Sequence, residues 1–365
     1  MKIIAQTAAL QEALNLASSI VATRTPKPIL QCVKLVAADG VLTVLATDLE
    51  AGARYQITAV QIEEEGEALV PADRLMGIVR EASDESLTLQ TQKDSLVIKG
   101  KGSHFRIFGY DPAEYPAVAE FAEDGDFQIK NTDLTSMINK TLFATAKAHS
   151  HYAISGVLWE ASAKKLTLVA TDGHRLALTR GQLTKPASRD VTAIVPAKLM
   201  GLIQRVGGSG EDMLDVKILE NQILIRTARA TLVSSLVQGN FPKYGDLVNR
   251  EFNRKATMQV GQFEHRIRQA ALLTNTESRG VRLGFTADAV KLTSRAPESG
   301  EAELECPATL EGEAVDIAFN PTFLLDAMKV VGTDTVVMEM SASNKPAILR
   351  AGTDFLYVLM PVDLT

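Results

Sequence analysis

Apolar positions recur along this chain in two rhythms. Six segments carry them at the three-to-four residue spacing of an amphipathic helix, and the runs between carry the alternation of strands. The first rhythm predicts helices over Thr7–Ala22, Pro71–Ala82, Thr132–Lys147, Pro196–Val206, Gly261–Thr274 and Asn320–Val331. Leu199, Leu202, Ile203 and Val206 form one apolar face, and Leu75, Ile78, Val79 and Ala82 form its counterpart. A proline stands at the start of every second helix, where its missing N–H has no intrahelical partner to lose. The second rhythm predicts strands in Gly40–Thr47, Leu87–Lys99, Lys165–Ala170, Met213–Ile225 and Val336–Met340. Asp39-Gly40 reads as a tight hairpin turn.

These elements repeat. Val70-Pro71-Ala72, Val195-Pro196-Ala197 and Asn320-Pro321-Thr322 place their prolines 125 residues apart each time. Leu42–Asp48 and Leu166–Asp172 are near copies 124 apart, as are Gly156-Val157 and Gly280-Val281. So long a period exceeds a solenoid unit and matches a whole domain. It predicts three similar domains, over residues 1–122, 123–252 and 253–365. First and second helices start 64, 64 and 59 residues apart, so each domain is expected to be two copies of a smaller helix-plus-strands unit. Strand runs with one helix per unit imply an α+β architecture of antiparallel sheets with two helices per domain.

Composition narrows the setting. A hydrophobic fraction of 46% supports packed cores. The two cysteines, Cys32 and Cys306, fall in different repeats, which argues against a disulfide framework and for a reducing, cytoplasmic location. Gln6, Gln11, Glu12 and Asn15 interrupt the first apolar run, which therefore reads as part of the fold and not as a leader. No stretch has the apolar length of a membrane span.

Like units joined head to tail curve by a constant angle and close where that angle divides a turn. Helices packed 8–10 Å apart give six of them a circumference of only ~50–60 Å and a bore of roughly 8 Å, too narrow for duplex DNA. Twelve helices from two chains give about 100–120 Å and a bore near ~25 Å, which admits a duplex. Charge is compatible with that use. The chain carries −6, but the six helices together carry +3, leaving −9 elsewhere. Lys140 and Lys147 are expected to share a face, as are Lys198 and Arg205. A basic group near the end of the first repeat, Lys99, Lys101, His104 and Arg106, faces an acidic one in the third, Glu298, Glu301, Glu303 and Glu305. Opposite edges of this kind favour head-to-tail pairing of two copies over like-with-like contact.

Asp172 and His174 suggest a second class, a three-domain enzyme or ligand-binding scaffold. Their spacing places both side chains on one side of an extended strand, open to acid–base work or a metal. No third ligand or nucleophile is suggested nearby, and Asp-Gly also suits a turn. With five histidines, of which His149 and His151 are the other close pair, no metal or cofactor is expected. No phosphate-binding loop, dinucleotide fingerprint or nucleophile elbow is present. Gly207-Gly208-Ser209-Gly210 reads as a helix stop and loop.

Thr171-Asp172-Gly173-His174-Arg175-Leu176-Ala177 resembles the signature of bacterial sliding clamps, the beta subunit of DNA polymerase III. Further similar segments run the length of the chain. They include Arg24 with Pro28-Ile29-Leu30, Ala46–Glu50, Asn240-Phe241-Pro242 with Tyr244, Arg279–Leu283 and Tyr357–Pro361. The resemblance implies a clamp fold, a non-catalytic ring-shaped homodimer on double-stranded DNA that ignores sequence, and tethering of the replicative polymerase, the clamp loader and other proteins with clamp-binding motifs. It places a partner-peptide pocket at Ile154, Thr171, His174, Arg175, Leu176, Pro242, Leu247, Pro346, Val358, Met360, Pro361 and Val362. It places the dimer seam at Leu272 and Leu273 against Phe105 and Ile107 of a second copy, with Lys101, Glu298, Glu301 and Glu303 as the charged edges. Arg24 matches a DNA-contacting position. With it the expected DNA-facing set is Lys140, Lys147, Tyr152, Lys198 and Arg205. Two departures stand out. Pro361 is followed by Val362-Asp363-Leu364-Thr365, a carboxylate where the family commonly has a cation. His149-Ser150-His151-Tyr152 retains only Tyr152 of the group that touches DNA in some relatives.

Overall fold

One strand, one helix and three further strands make the unit from which the whole chain is built. The computed structural model describes residues 1–122, 124–147, 153–206, 212–274 and 280–363. Within them the strand–helix–three-strand order recurs six times. The helices are α1 (Thr7–Ser18), α2 (Ala72–Glu81), α3 (Asn131–Thr141), α4 (Ala197–Val206), a single turn α5 (Gly245–Val248), α6 (Val260–Ala270) and α7 (Pro321–Met328). All paired strands among the described residues are antiparallel, so the architecture is α+β: three domains of antiparallel sheet with two principal helices each.

Units pair by exchanging first strands. In the first domain Lys2–Gln6 leaves its own unit to pair with Ser86–Gln92 of the next, and Gly66–Pro71 pairs back with Cys32–Ala38. The same exchange places Phe127–Lys130 beside Met213–Ile218, Val191–Pro196 beside Gly156–Ser162, and Val315–Phe319 beside Val281–Phe285. A unit alone would leave one sheet face bare, and the exchange buries it.

The chain divides into two compact units. One comprises residues 1–132, 183–189 and 198–236, and the other 133–182, 190–197 and 237–365. The middle domain thus contributes one sheet to each. In the first unit Ala51–Ile57 pairs with Ala230–Ser235, joining the first domain's sheet to one of the middle domain's in eight strands. In the second, Arg175–Gln182 pairs with Phe355–Leu359 in the same manner. Leu10, Leu14, Leu75 and Val79 are fully buried where α1 packs on α2, and Phe263, Ile267 and Leu324 where α6 packs on α7.

Several local expectations need correction. α4 ends at Val206 as expected, but α1 and α7 end earlier than the periodicity suggests, because Ile20 and Val331 are buried just beyond them and extend the apolar pattern. α3 stops at Thr141 and continues only as a tight turn, Leu142–Ala144, so Lys147 is not on the helix with Lys140. Pro71 caps α2 from outside and Pro196 ends a strand. Pro321 alone occupies a first helical position, behind an Asn320 side chain that accepts the Thr322 N–H at 2.9 Å. Leu87–Lys99 is two strands, Ser86–Gln92 and Ser95–Gly100, whose turn residues Lys93-Asp94 include no glycine or proline to mark it. Met213–Ile225 likewise divides into Met213–Ile218 and Gln222–Arg226. Asp39-Gly40 is the expected two-residue hairpin, with φ of 51° and 77° and Ala38 paired to Val41.

Candidate functional site

Thr171-Asp172-Gly173-His174 forms the turn between Lys165–Thr171 and Arg175–Gln182. The Thr171 hydroxyl donates to the Arg175 carbonyl at 2.6 Å and accepts the Gly173 N–H at 3.1 Å. Asp172 Oδ1 accepts the N–H groups of His174 and Arg175 at 3.0 and 3.1 Å. Thr47 and Asp48 make the same bonds in the first domain, to Leu49, Glu50 and Ala51. The third residue needs positive φ in both turns, 91° at Gly173 and 80° at Leu49. Thr-Asp is therefore a turn device. With Oδ2 held by Arg175 Nε at 3.0 Å, Asp172 is fully engaged. This engagement does not favour the acid–base alternative for Asp172 and His174.

Arg175 ties this turn to the third domain. Its side chain is 8% exposed, with Nη1 at 2.8 Å from Asp326 Oδ2 and Nη2 donating to the Phe143 carbonyl at 2.9 Å. The guanidinium lies 4.3 Å from the Phe323 ring centroid and 5.4 Å from that of Phe143. Burial works against its charge, but Tyr357, Asp326 and Asp172 outweigh burial and hold it protonated. Burial pushes the Tyr357 hydroxyl well above its ordinary range, and that hydroxyl donates to the Phe323 carbonyl at 3.1 Å.

An apolar cluster beside this turn follows from strand pairing. Leu176 stands opposite Val358, and the Met360 N–H continues the ladder to the His174 carbonyl at 3.0 Å. Leu176 and Val358 join Ala153, Val169, Ile194 and Val248 in one cluster, with Phe241, Tyr244 and Phe252 half-buried against it. Thr171, His174, Arg175, Leu176, Val358 and Met360 are thereby brought together. Met360 is 40% exposed and His174 is exposed, whereas Leu176 and Val358 are buried. Pro242 and Leu247, both half-buried, lie on the segment that presents Phe241, Tyr244 and Val248. Ile154 and Pro346 are buried, the latter just ahead of Ala347–Ala351. Pro361 and Val362 are half-buried, and the Val362 N–H donates to Ala318 at 2.9 Å. Sequence reasoning missed Phe241, Tyr244 and Val248 as floor residues, and Phe143, Phe323 and Asp326 around Arg175. The aromatic spacing of Phe241 and Tyr244 was a usable signal, but nothing in the sequence pairs Asp326 with Arg175.

Two strands with an unpaired edge among the described residues lie at the ends of the first and third domains. Ser103–Phe108 is the outer strand of the first domain's five-stranded sheet, with Phe105 44% and Phe108 78% exposed and Ile107 buried. Beside it a cavity of about 530 Å³ opens against α2, lined by Ile78, Arg106, Ile107 and Phe108. In the second unit Gly300–Pro307 pairs with Ala289–Ala296 on one side alone. It exposes Glu301 and Glu303, the latter 2.6 Å from Lys291. Leu272 is 79% exposed, Leu273 half-buried, and Lys101 and Glu298 are exposed.

The helix cations are less free than their count suggested. Lys140, with a side chain 16% exposed, is 2.7 Å from Asp354. Lys198 pairs with Asp48 and donates to the Ile20 carbonyl at 3.2 Å, and Arg205 donates to the Ser19 hydroxyl. Lys147 and Arg24 are exposed. Tyr152, His149, His151, Arg279, Gly207–Gly210, Leu364 and Thr365 lie outside the described residues.

Three repeated domains, strand pairing across their junctions and an apolar cluster beside one junction define the class of clamp-fold proteins. Models of the DNA polymerase III beta subunit match the chain in order: the N-terminal domain over residues 1–119, the central domain over 128–243 and the C-terminal domain over 246–363. The beta sliding clamp of Pseudomonas aeruginosa is 30% identical over 362 residues, covering 98% of this chain and 99% of its own. The Bacillus subtilis sliding clamp structure superposes with a TM-score of 0.96 at 25% identity, and a P. aeruginosa clamp bound to griselimycin with 0.95 at 30%, each over 100% of both chains. The chain belongs to the DNA polymerase III beta subunit family, the beta sliding clamps.

Proposed function

We propose that two copies of this chain close head to tail into a ring around duplex DNA, and that the ring tethers partners without chemistry of its own. One observation carries the reading: the chain uses the same inter-domain strand pairing twice and has one edge of each kind left over. Ala53 and Ala177 occupy one register place, opposite Ala46 and Ala170, and Ala302 holds that place opposite Ser294. Leu232 and Tyr357 occupy another, opposite Ile225 and Leu349, and Phe105 holds it opposite Ile98. Ala53 pairs with Leu232 and Ala177 with Tyr357. The third pairing is then Ala302 with Phe105 of a second copy, which sets Glu301 against Arg106 and Glu303 against His104. Leu272 and Leu273 of one copy meet the groove beside Ile107 and Phe108 of the other. The expected domain limits are 1–122, 123–252 and 253–365.

A closed ring holds DNA by topology, so weak, salt-sensitive phosphate contacts from Arg24, Lys147, Tyr152, Arg205, Lys198 and Lys140 suffice and permit sliding. Tethering raises the effective concentration of the polymerase, the clamp loader and other motif-bearing proteins at the primer end, so modest peptide affinity yields processivity. The pocket for those peptides is the apolar site bounded by Leu176, Val358, Met360, Pro242 and Leu247. Non-enzymatic action fits the engagement of Asp172 by its own turn and by Arg175. Among the described residues no helix is long and apolar enough to cross a membrane. The site of action is the cytoplasm, where the replication machinery works. Sedimentation equilibrium tests closure: a two-chain particle is expected at micromolar concentration, and a monomer or an open series of oligomers refutes it.

A further inference from the structure

The two inter-domain junctions share one strand register but differ in what covers them. At the second, Leu176 stands opposite Thr171 and Val358, and Val358 opposite Ile348. At the first, Gly52 stands opposite Thr47 and Val233, and Val233 opposite Leu224. Gly52 thus holds the place of Leu176. In the neighbouring row Leu158, Val169, Leu178 and Leu356 lie side by side at the second junction. Lys34, Leu45, Arg54 and Thr231 hold those places at the first, so three apolar positions have become polar.

The chain's own segment beyond Pro112 fills the difference. Tyr115 and Val118 are buried and Phe121 is half-buried, three residues apart, in one cluster with Leu45, Leu224 and Val233. A Cβ on Gly52 would lie 3.0 Å from Val118 Cγ1 and 3.1 Å from Val233 Cγ1, so Val118 takes the space that a leucine side chain would need. The new polar residues grip the segment by its backbone. Lys34 Nζ donates to the Pro112 carbonyl and Arg54 Nη1 to the Val118 carbonyl, both at 3.2 Å. Arg54 also pairs with Glu120, and the Arg226 guanidinium lies 4.4 Å from the Phe121 ring centroid. Main-chain hydrogen bonds above apolar side chains seated in a groove are the means by which extended peptides are recognised. At the second junction Phe241 and Tyr244 also lie against the cluster, but Leu176 keeps its side chain there and the Tyr244 hydroxyl is drawn aside to Glu160.

We infer that the first junction is a second site for apolar peptides, held shut by the chain's own Tyr115–Phe121 segment. This rests on the peptide-pocket reading of the second junction, and it limits each chain to one open site.

The test is titration calorimetry of the full-length protein with a synthetic decapeptide carrying a Leu-Leu-Phe anchor. The parent should bind one peptide per chain. Gly52→Leu/Arg54→Leu/Val118→Ala gives the first junction the floor of the second and releases the segment. This variant should bind two, and a glutamate-specific protease should cut it at Glu120 at least about tenfold faster. With Met360→Glu added it should still bind one. If the triple variant does not fold, Arg54→Leu/Phe121→Ala, which leaves the floor intact, carries the same expectations. A stoichiometry that stays at one although Glu120 is cut faster, or a cleavage rate that does not change, overturns the closed site and leaves the pocket standing. If Met360→Glu in the parent leaves peptide binding intact, the pocket reading fails and the inference with it.

Discussion

Arg175 Nη1 lies 2.8 Å from Asp326 Oδ2, joining a turn of the middle domain to α7 of the third. Neither residue is free to leave, since Arg175 is also held by Asp172 and flanked by two phenylalanine rings. Arg175→Met would leave Asp326 with Lys329 alone and Asp172 with its turn N–H groups alone. A buried pair broken from one side costs about 3–5 kcal/mol. Denaturant unfolding should show a loss of that size, and Asp326→Asn a smaller one.

The pocket is best probed at its rim. Leu176 is buried in the cluster beneath, so a charge there damages the fold as well as the site. Met360 is 40% exposed and its backbone is fixed by His174. Met360→Glu should reduce affinity for an apolar partner peptide at least tenfold with the thermal midpoint unchanged, as measured by calorimetry and scanning fluorimetry.

Charge reversal tests the seam register. Glu301→Lys and Arg106→Glu should each weaken the dimer, because each places like charges opposite one another across the new strand pair. The double variant restores opposite charges and should recover most of the loss in sedimentation. Additive weakening would show that the two residues do not face one another.

Alkaline pH should destabilise the first domain. Burial pushes the Tyr115 hydroxyl up to about 12 from 10.0, and the Cys32 thiol to about 11 from 9.0. Above their ordinary values both groups ionise in the unfolded chain while remaining protonated in the folded one, so stability falls as pH rises. Tyr115 accepts the Thr47 N–H at 3.0 Å and donates to the Cys32 carbonyl at 3.1 Å. Tyr115→Phe should therefore be less stable at pH 8 by about 1–2 kcal/mol. It should also lose less than the parent protein between pH 10 and 12, in urea titrations at each pH.

Much of this was legible before the fold. The triplication, the α+β class and the six helices followed from apolar spacing, because buried faces repeat wherever a domain repeats. Helix ends did not, since Ile20 and Val331 are buried immediately beyond them. The strand residues proposed for the pocket, Leu176 and Val358, came from the family resemblance, and the structure pairs them in one cluster. The Arg175–Asp326 tie could not, because 151 residues separate the partners and neither stands in a pattern that points to the other. The ion pairing of the helix cations was hidden for a similar reason: Lys140 and Lys198 look free in one dimension, yet Asp354 and Asp48 reach them from distant turns.

Retention on DNA of two topologies tests the central claim most directly. Protein loaded onto nicked circular duplex should remain bound through gel filtration in 0.3 M salt and depart within minutes once the DNA is cut by a restriction enzyme. Equal loss from circular and linear molecules would contradict a ring that holds DNA by enclosing it.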